Sequence, residues 1–122
     1  MITLRTLPRA TAQEVFNQSA KHILTQARRS VDKSGFCQYK DGQGLSCAAG
    51  CFIGKSEYRK KFEGDGWRNL ASMGSVPVEH QELIVALQRV HDDCNPEWWV
   101  ERLKWVAEAY SLNYDCIKPF EV

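Results

Sequence analysis

Apolar residues recur at helical spacing in three parts of the chain, and the first of these parts follows Thr11. Its stripe consists of Ala12, Val15, Phe16, Ala20, Ile23, Leu24 and Ala27. This spacing describes one face of a helix with 3.6 residues per turn. Thr11 and Glu14 have the spacing of a capping box, in which each side chain accepts from the backbone N–H of the other residue. The pattern therefore predicts a long helix that begins after Thr11, in a segment that Lys33-Ser34-Gly35 ends.

A second stripe predicts a helix over residues 77–94. It consists of Leu83, Ile84, Leu87, Val90 and Cys94, and the same stripe carries His80 and His91 near its centre. Asn95 is a favourable N-cap, and Pro96 suits the first position of a helix that follows it. The chain therefore predicts a break at Asn95 and a third helix from Pro96 to about Tyr110.

The third predicted helix is apolar on two sides. One stripe consists of Trp99, Leu103, Val106, Ala107 and Tyr110. Trp98, Trp105 and Ala109 form a second stripe, roughly 100° away around the helix axis. A helix with two apolar faces usually lies between two partners. The second stripe therefore predicts either a further core contact or an interaction surface.

Residues 36–47 have the pattern of a short β-hairpin. Strand-like residues flank Asp41-Gly42-Gln43-Gly44, and both glycines accept a positive φ. Because two strands alone are marginally stable, helices are expected to cover one face of this hairpin. Short helical turns are predicted over residues 47–53 and 56–62, a loop over residues 64–77, and a weak strand over residues 111–122.

These elements predict an α+β fold that is mostly helical, with three main helices packed around a small β-hairpin. The 122 residues fit a single domain over residues 1–122, and such a domain buries about two thirds of the surface of its unfolded chain. Hydrophobic residues make up 43% and charged residues 25%, a balance that excludes a disordered chain.

The charges are divided unevenly along the chain. Residues 1–61 hold 11 Lys and Arg against 4 Asp and Glu, a net charge of +7, whereas residues 62–122 hold 5 against 11, a net charge of −6. Two interpretations stay open. Either the halves pack together and neutralise each other, or they present a basic surface to nucleic acid and an acidic surface to a basic partner.

The same composition bears on location and on the cysteines. No stretch reaches the ~20 apolar residues of a membrane span, and residues 1–10 lack the apolar core of a signal peptide. We therefore expect a cytoplasmic protein with no membrane partner. Thiols are reduced in the cytoplasm, and the odd number of five cysteines favours free thiols or a metal site over a disulfide framework.

The candidate metal ligands are Cys37, Cys47, Cys51 and His91. The three cysteines lie within 15 residues, and zinc binds thiolate and imidazole groups, with His80 and Cys94 as alternative fourth ligands. The spacing lacks the C-x2-C of a zinc knuckle, so the packing of small buried cysteines is the competing interpretation. A third one is a reactive thiol at Cys47, near a helix start and with a histidine as its base.

Two groups of residues are candidates for binding a macromolecule. Trp98 and Trp105 lie on one helix face, and tryptophan is enriched at interface hot spots, so this face predicts binding to another protein or a homodimer through the 96–110 helix. Arg59, Lys60 and Lys61 form a basic run that predicts either phosphate contacts or a solvated helix face. No catalytic residue and no phosphate-binding glycine loop is predicted.

Several motifs resemble those of a family of small, uncharacterised bacterial and phage proteins, in which a first helix leads to a cysteine, a D-G turn and a C-A-x-G-C-[LF]-I motif. The matching segments are Cys37-Gln38-Tyr39, Asp41-Gly42, residues 45–53, residues 87–92, Pro96-Glu97-Trp98 and Tyr110-Ser111-Leu112. The resemblance spans most of the chain and implies a shared fold and a bacterial or phage origin, without an activity. In looser relatives the position of Cys51 is alanine, which implies that Cys51 is not an obligatory ligand.

The function that these observations favour is that of a small non-enzymatic interaction protein, an inhibitor or modulator of a host complex such as a defence system. Two alternatives stay open. The first is a metal- or thiol-dependent module that uses Cys37, Cys47 and Cys51, with zinc as its candidate cofactor. The second is a nucleic-acid binder that uses the basic N-terminal half.

Overall fold

The computed structural model describes residues 1–121 and contains four α-helices in that range. They are α1 (Ala12–Gln26), α2 (Trp67–Ser72), α3 (Gln81–Asp93) and α4 (Trp99–Ala109). Short 3₁₀ helices lie between and beyond them, at Leu7–Arg9, Gly50–Phe52, Lys60–Phe62, Pro96–Trp98 and Asp115–Phe120. Within residues 1–121, no helix is long and apolar enough to cross a membrane.

The first predicted helix is confirmed. Thr11 caps α1 with both bonds of the capping box, since its side chain accepts from the Glu14 N–H while the Glu14 carboxylate accepts from the Thr11 N–H. The helix ends after Gln26, well before the predicted end of the segment at Lys33-Ser34-Gly35, because Ala27 adopts a left-handed conformation with a φ of 57°. The predicted stripe faces the core, where Phe16 and Ile23 are fully buried.

The second and third predicted helices are also present, with one boundary corrected. The helix predicted from residue 77 begins only at Gln81, because His80 has a φ of 62°, which a right-handed helix cannot continue. The Nε2 of His80 hydrogen-bonds to the carbonyl oxygen of Ala10 at 2.7 Å, so His80 lies outside the apolar stripe of α3. The third helix begins as the 3₁₀ turn Pro96–Trp98 and continues as α4.

The core lies around α3, which packs against α1, α2 and α4. Its largest fully buried side chains include Trp99, Phe16, Phe52, Leu87 and Leu103. The two stripes of the third predicted helix, now the 3₁₀ turn Pro96–Trp98 and α4, have different surroundings. Trp99, Leu103 and Ala107 are buried, whereas Trp98 is 56% and Trp105 is 53% exposed. The second stripe is therefore not a core contact of this chain.

The predicted β-hairpin is wrong, and with it the α+β fold class. Within residues 1–121 there is no strand and no sheet, and the fold is all-helical. The hairpin region contains only two isolated antiparallel bridges, Val31–Cys37 and Lys40–Ser46. Each bridge closes one tight loop and continues into no ladder.

The physical reason is that side chains take the backbone donors that a ladder would use. The carboxylate of Glu63 accepts from the N–H of Tyr39 at 2.8 Å and from that of Lys40 at 3.1 Å. Oε1 of Gln26, on α1, accepts from the N–H of Ser46 at 3.1 Å. These bonds satisfy the donors on both sides of the turn, so a strand gains nothing by extending.

The two loops have the same construction. In each, the residue after the first bridge residue is an aspartate, Asp32 or Asp41. Its Oδ1 accepts from the N–H groups two and four residues later. Three residues after each aspartate lies a glycine with a positive φ, which is 87° at Gly35 and 85° at Gly44. The sequence D-x-x-G is therefore a repeated loop unit in this chain, although the sequence pattern predicted a turn only at Asp41.

The remaining differences concern short elements. The helical turns predicted over 47–53 and 56–62 are the 3₁₀ helices Gly50–Phe52 and Lys60–Phe62, and the loop predicted over 64–77 contains α2. The six residues of α2 are helical because Trp67, Leu70 and Ala71 are buried there. The strand predicted over 111–122 is wrong, since Asp115–Phe120 is a 3₁₀ helix; residue 122 lies outside the described residues.

One close backbone contact positions the turn after the loops. A Cβ added at the buried Gly50 would lie 2.0 Å from the carbonyl oxygen of Tyr39. Only glycine allows this approach. Gly50 therefore brings the 47–53 turn against the backbone of Tyr39.

Candidate functional site

The structure brings Cys37, His91 and Asp92 together at the end of α3. One ligand atom of each residue lies within 4.8 Å of the others. Cys37 comes from the first Asp-centred loop, and the other two residues come from the last turn of α3. Two predicted ligands, Cys37 and His91, are thus neighbours, whereas Cys47 and Cys51 are outside this cluster.

His91 is fully buried, and both of its ring nitrogens are hydrogen-bonded. The backbone N–H of Ser30 donates to Nε2 at 3.1 Å, so Nε2 holds the lone pair. Nδ1 therefore carries the proton and donates it to the Asp92 carboxylate at 2.9 Å. The ring also stacks on Trp99, with centroids 5.6 Å apart. These contacts fix one neutral tautomer of His91.

Asp92 is the acceptor at which the contacts converge. Besides His91, its Oδ1 accepts from the amide of Gln88 at 2.6 Å, and the Cys37 thiol also hydrogen-bonds to it. Burial by itself would raise the pKa of Asp92, but the hydrogen bonds from His91, Cys37 and Gln88 outweigh it and lower the pKa. Asp92 is therefore an ionised carboxylate surrounded by donors.

We name this set of Ser30, Cys37, Gln88, His91 and Asp92 the Asp92 hub. Cysteine, histidine and aspartate are a donor set that zinc accepts. A metal bound at Nδ1 of His91 would, however, displace the proton to Nε2, where it would face the Ser30 N–H. The geometry therefore favours a hydrogen-bonded structural centre over a metal centre.

The hub extends to a further loop through Gln88. The Oε1 of Gln88 accepts from the N–H of Ala49 at 2.8 Å, while its amide donates to Asp92. Nearby, the guanidinium of Arg29 donates to the carbonyl oxygens of His91 and Cys94 at the end of α3. Sequence reasoning missed Gln88, although its i, i+4 spacing to Asp92 on one helix face was an available signal.

The three candidate cysteines are held as thiols. Burial raises the pKa of Cys37 to about 12, with a further increase from its hydrogen bond to Asp92, and burial raises the pKa of Cys51 to about 12. Burial also raises the pKa of Cys47 well above its usual range. Because the thiolate is the nucleophile, this environment opposes thiol catalysis.

We expect these thiols to resist alkylation in the folded protein. At about pH 8 a free cysteine is partly ionised, whereas Cys37, Cys47 and Cys51 should stay protonated and react slowly with iodoacetamide. Peptide mass spectrometry, with and without guanidinium, measures the reaction at each site. Rapid, selective modification of native Cys37 or Cys47 would contradict this interpretation and restore the reactive-thiol hypothesis.

A second candidate site is the exposed surface of α4. The guanidinium of Arg102 lies 4.2 Å from the ring centroid of Trp105, and both Trp98 and Trp105 are half-exposed. Exposed carboxylates flank these side chains, at Glu97, Glu101 and Glu108. We name this surface the α4 face; it consists of Glu97 and Trp98, from the 3₁₀ turn before α4, and of Glu101, Arg102, Trp105 and Glu108, from α4 itself.

The division of charge along the chain is not cancelled by direct ion pairs. Over residues 1–121 the Lys and Arg pairs are Arg68–Glu82, Lys104–Glu121 and Lys118–Asp115, and all lie within the acidic half. Arg59, Lys60 and Lys61 are exposed around the Lys60–Phe62 turn, and Arg59 donates to two backbone carbonyls. The nucleic-acid hypothesis based on these residues stays a prediction.

No protein-family model, curated protein or solved structure matches the chain. The resemblance to small bacterial and phage proteins therefore stays a prediction, and function is inferred from the geometry of this chain alone.

Proposed function

We propose that this protein is a non-enzymatic binding protein that docks its α4 face on a basic surface of another protein. The observation that carries the proposal is the exposure of Trp98, directly before α4, and of Trp105, on α4, whose other face is buried in the core. Large aromatic side chains clustered at a protein surface are typical of interaction sites. Tryptophan and arginine are also the residue types most enriched among interface hot spots.

The stacking of Arg102 supports this use of the face. With its guanidinium 4.2 Å from the Trp105 centroid, the arginine and the ring hold each other in one arrangement. Side chains that are ordered before association lose less conformational entropy on binding. The rigid helix beneath them has the same effect, since Trp99 and Leu103 anchor it in the core.

The charges of the face favour a basic partner over a second copy. Glu97, Glu101 and Glu108 form no ion pair within residues 1–121, and Arg102 is the only opposite charge among the residues that define the face. Twofold pairing of two α4 faces would place six carboxylates around two guanidinium groups. A different protein with lysines and arginines around an apolar patch would complement these three glutamates and the tryptophans between them.

The rest of the chain is consistent with binding rather than catalysis. The Asp92 hub uses its donors and acceptors internally, and its Cys37 thiol is protonated. The five free cysteines fit the reducing cytoplasm, where we place the protein's action. In this proposal the protein modulates a larger complex by covering one of its surfaces.

The proposal is tested by photo-crosslinking from the face itself. A photoreactive phenylalanine analogue at position 98 should crosslink to a basic protein in a cell extract. The same analogue at position 36 is a matched control, because Phe36 is 69% exposed on a different loop. For the purified partner, Trp98→Ala and Trp105→Ala should each weaken binding by about 2 kcal/mol, roughly 30-fold, in calorimetry.

Phe36→Ala should change the affinity less than about twofold. Crosslinks to a second copy of this chain would overturn the choice of partner. Equal losses of affinity at Phe36 and at the tryptophans would overturn the assignment of the face.

A further inference from the structure

A basic cavity lies against the exposed face of α1, between that helix and residues 40–55. Its volume is about 750 Å³, within the range of roughly 300–1,000 Å³ that is typical of small-molecule sites. No residue of α4 lines it, so the cavity is separate from the α4 face.

The charge of the cavity is of one sign. Lys21, Lys40 and Lys55 line it, and none of the lining residues in the described chain is Asp or Glu. The other lining residues have uncharged side chains, and the apolar ones that reach solvent include Met1 and Cys51. A site with three ammonium groups and an apolar wall matches a ligand with an anionic group on an apolar body.

Lys40 is the one partly buried lysine among the three, and the Glu63 carboxylate beside it accepts from its backbone N–H and not from its ammonium. Its ammonium is half-buried and donates to the carbonyl oxygen of Gly50 at 3.1 Å and to Oγ of Ser46 at 3.4 Å. No carboxylate within residues 1–121 forms an ion pair with it. Burial lowers the pKa of Lys40, which is the cost of holding this charge away from water. A bound anion would offset that cost.

The walls around Lys40 are fixed by internal hydrogen bonds. Gln18 accepts from the Ile2 N–H and donates to the carbonyl oxygens of Ile2 and Cys51. On the next turns of α1, His22 and Gln26 both donate to the carbonyl oxygen of Ser46, each at 2.9 Å. The cavity is therefore formed before a ligand arrives, which lowers the entropic cost of binding.

We propose that this cavity binds a small organic phosphate, with the phosphoryl group at Lys40 and the apolar body against Met1 and Cys51. Lysine is an effective point-charge partner for phosphate. Contact with the apolar part of the lining should make an organic phosphate bind more tightly than inorganic phosphate, which has no apolar part.

The probes are phenyl phosphate, inorganic phosphate and benzoate, each titrated into the full chain and followed by amide chemical shifts. Phenyl phosphate should saturate and shift the amides of the cavity residues. It should bind at least about tenfold more tightly than inorganic phosphate, because only phenyl phosphate contacts the apolar wall. Benzoate, with one charge instead of two, should bind more weakly than phenyl phosphate.

The variants are Lys40→Met and Lys55→Met, with Lys60→Met as the matched control, because Lys60 is exposed and does not line the cavity. Lys40→Met should weaken phenyl phosphate binding about tenfold, since it removes a charged donor. Lys55→Met tests the same claim at an exposed position where folding is not at risk, and Lys60→Met should have less than about a twofold effect.

Three results would overturn the proposal. One is equal affinity for phenyl phosphate and inorganic phosphate, and another is tighter binding of benzoate. The third is equal loss of affinity at Lys55 and Lys60, which would assign the binding to the general basic surface, as a nucleic-acid binder would show. None of these results depends on the α4 face.

Discussion

Alanine at position 50 is expected to lower the free energy of unfolding by about 3 kcal/mol, at the upper end of the cost of overpacking an interior. The added Cβ would lie 2.0 Å from the carbonyl oxygen of Tyr39. Because that atom belongs to the backbone, no side chain can rotate away to make room. Denaturant unfolding of Gly50→Ala, followed by circular dichroism, measures the loss against the wild type.

Gly42→Ala is the matched control for this substitution. Gly42 lies in the second Asp-centred loop, and a Cβ added there has no atom within 4 Å and no positive φ to oppose it. Its effect should stay within about 0.5 kcal/mol. A neutral Gly50→Ala, or equal losses in both variants, would contradict the close contact between Gly50 and Tyr39.

Asp92→Ala is expected to cost about 2–3 kcal/mol, because it leaves the buried Nδ1–H of His91 without an acceptor. Asp93→Ala is its matched control, since Asp93 is the next residue, has the same charge and is exposed. We expect the control to change the free energy of unfolding by less than about 0.5 kcal/mol. Urea unfolding followed by tryptophan fluorescence compares the two variants, and similar losses in both would show that the hub is not a structural centre.

The acid dependence of stability tests the same residue. The pKa of folded Asp92 lies below its ordinary value of 3.8. Its stabilisation is therefore fully present above the pKa of the unfolded chain and is lost as the pH falls through the folded pKa. Asp92→Asn keeps an oxygen for His91 but cannot titrate, so the difference in unfolding free energy between wild type and variant should shrink as the pH falls below the ordinary pKa of 3.8 and through the folded pKa. A difference that does not change with pH would contradict this role.

The three long helices could be predicted from the sequence because local signals agree with their packing. For α1, the apolar period and the reciprocal bonds of Thr11 and Glu14 lie within one stretch of chain. The start of α3 was misplaced because nothing in the residue pattern reveals that His80 adopts a left-handed φ. The short helix α2 was missed because its stability comes from the burial of Trp67 and Leu70, not from its flanking glycines.

The prediction of a β-hairpin was wrong for a different reason. The turn chemistry at Asp41 and Gly44 was recognised correctly, and a tight loop does form there. Whether strands extend from it depends on acceptors 20 to 24 residues away, at Gln26 and Glu63. Turn propensity contains no information on such distant partners.

The candidate sites show the same division between local and distant information. Residue type was enough to select Cys37 and His91, but the tertiary fold decides that Asp92 and the Ser30 N–H saturate the imidazole. Periodicity likewise placed Trp98 and Trp105 on one face of the predicted helix 96–110. It could not decide between core and surface, because both stripes of that helix are apolar.

The use of side chains in place of a β-ladder has a consequence for how this chain can be recombined. A hairpin carries its own acceptors and can be moved between proteins as a module. Residues 28–63 cannot, because the N–H groups of Ser46 and Ala49 depend on Gln26 and Gln88, which belong to α1 and α3. A chimera that exchanged this segment alone would leave both donors without partners, so the segment and these two glutamines are expected to be inherited as one unit.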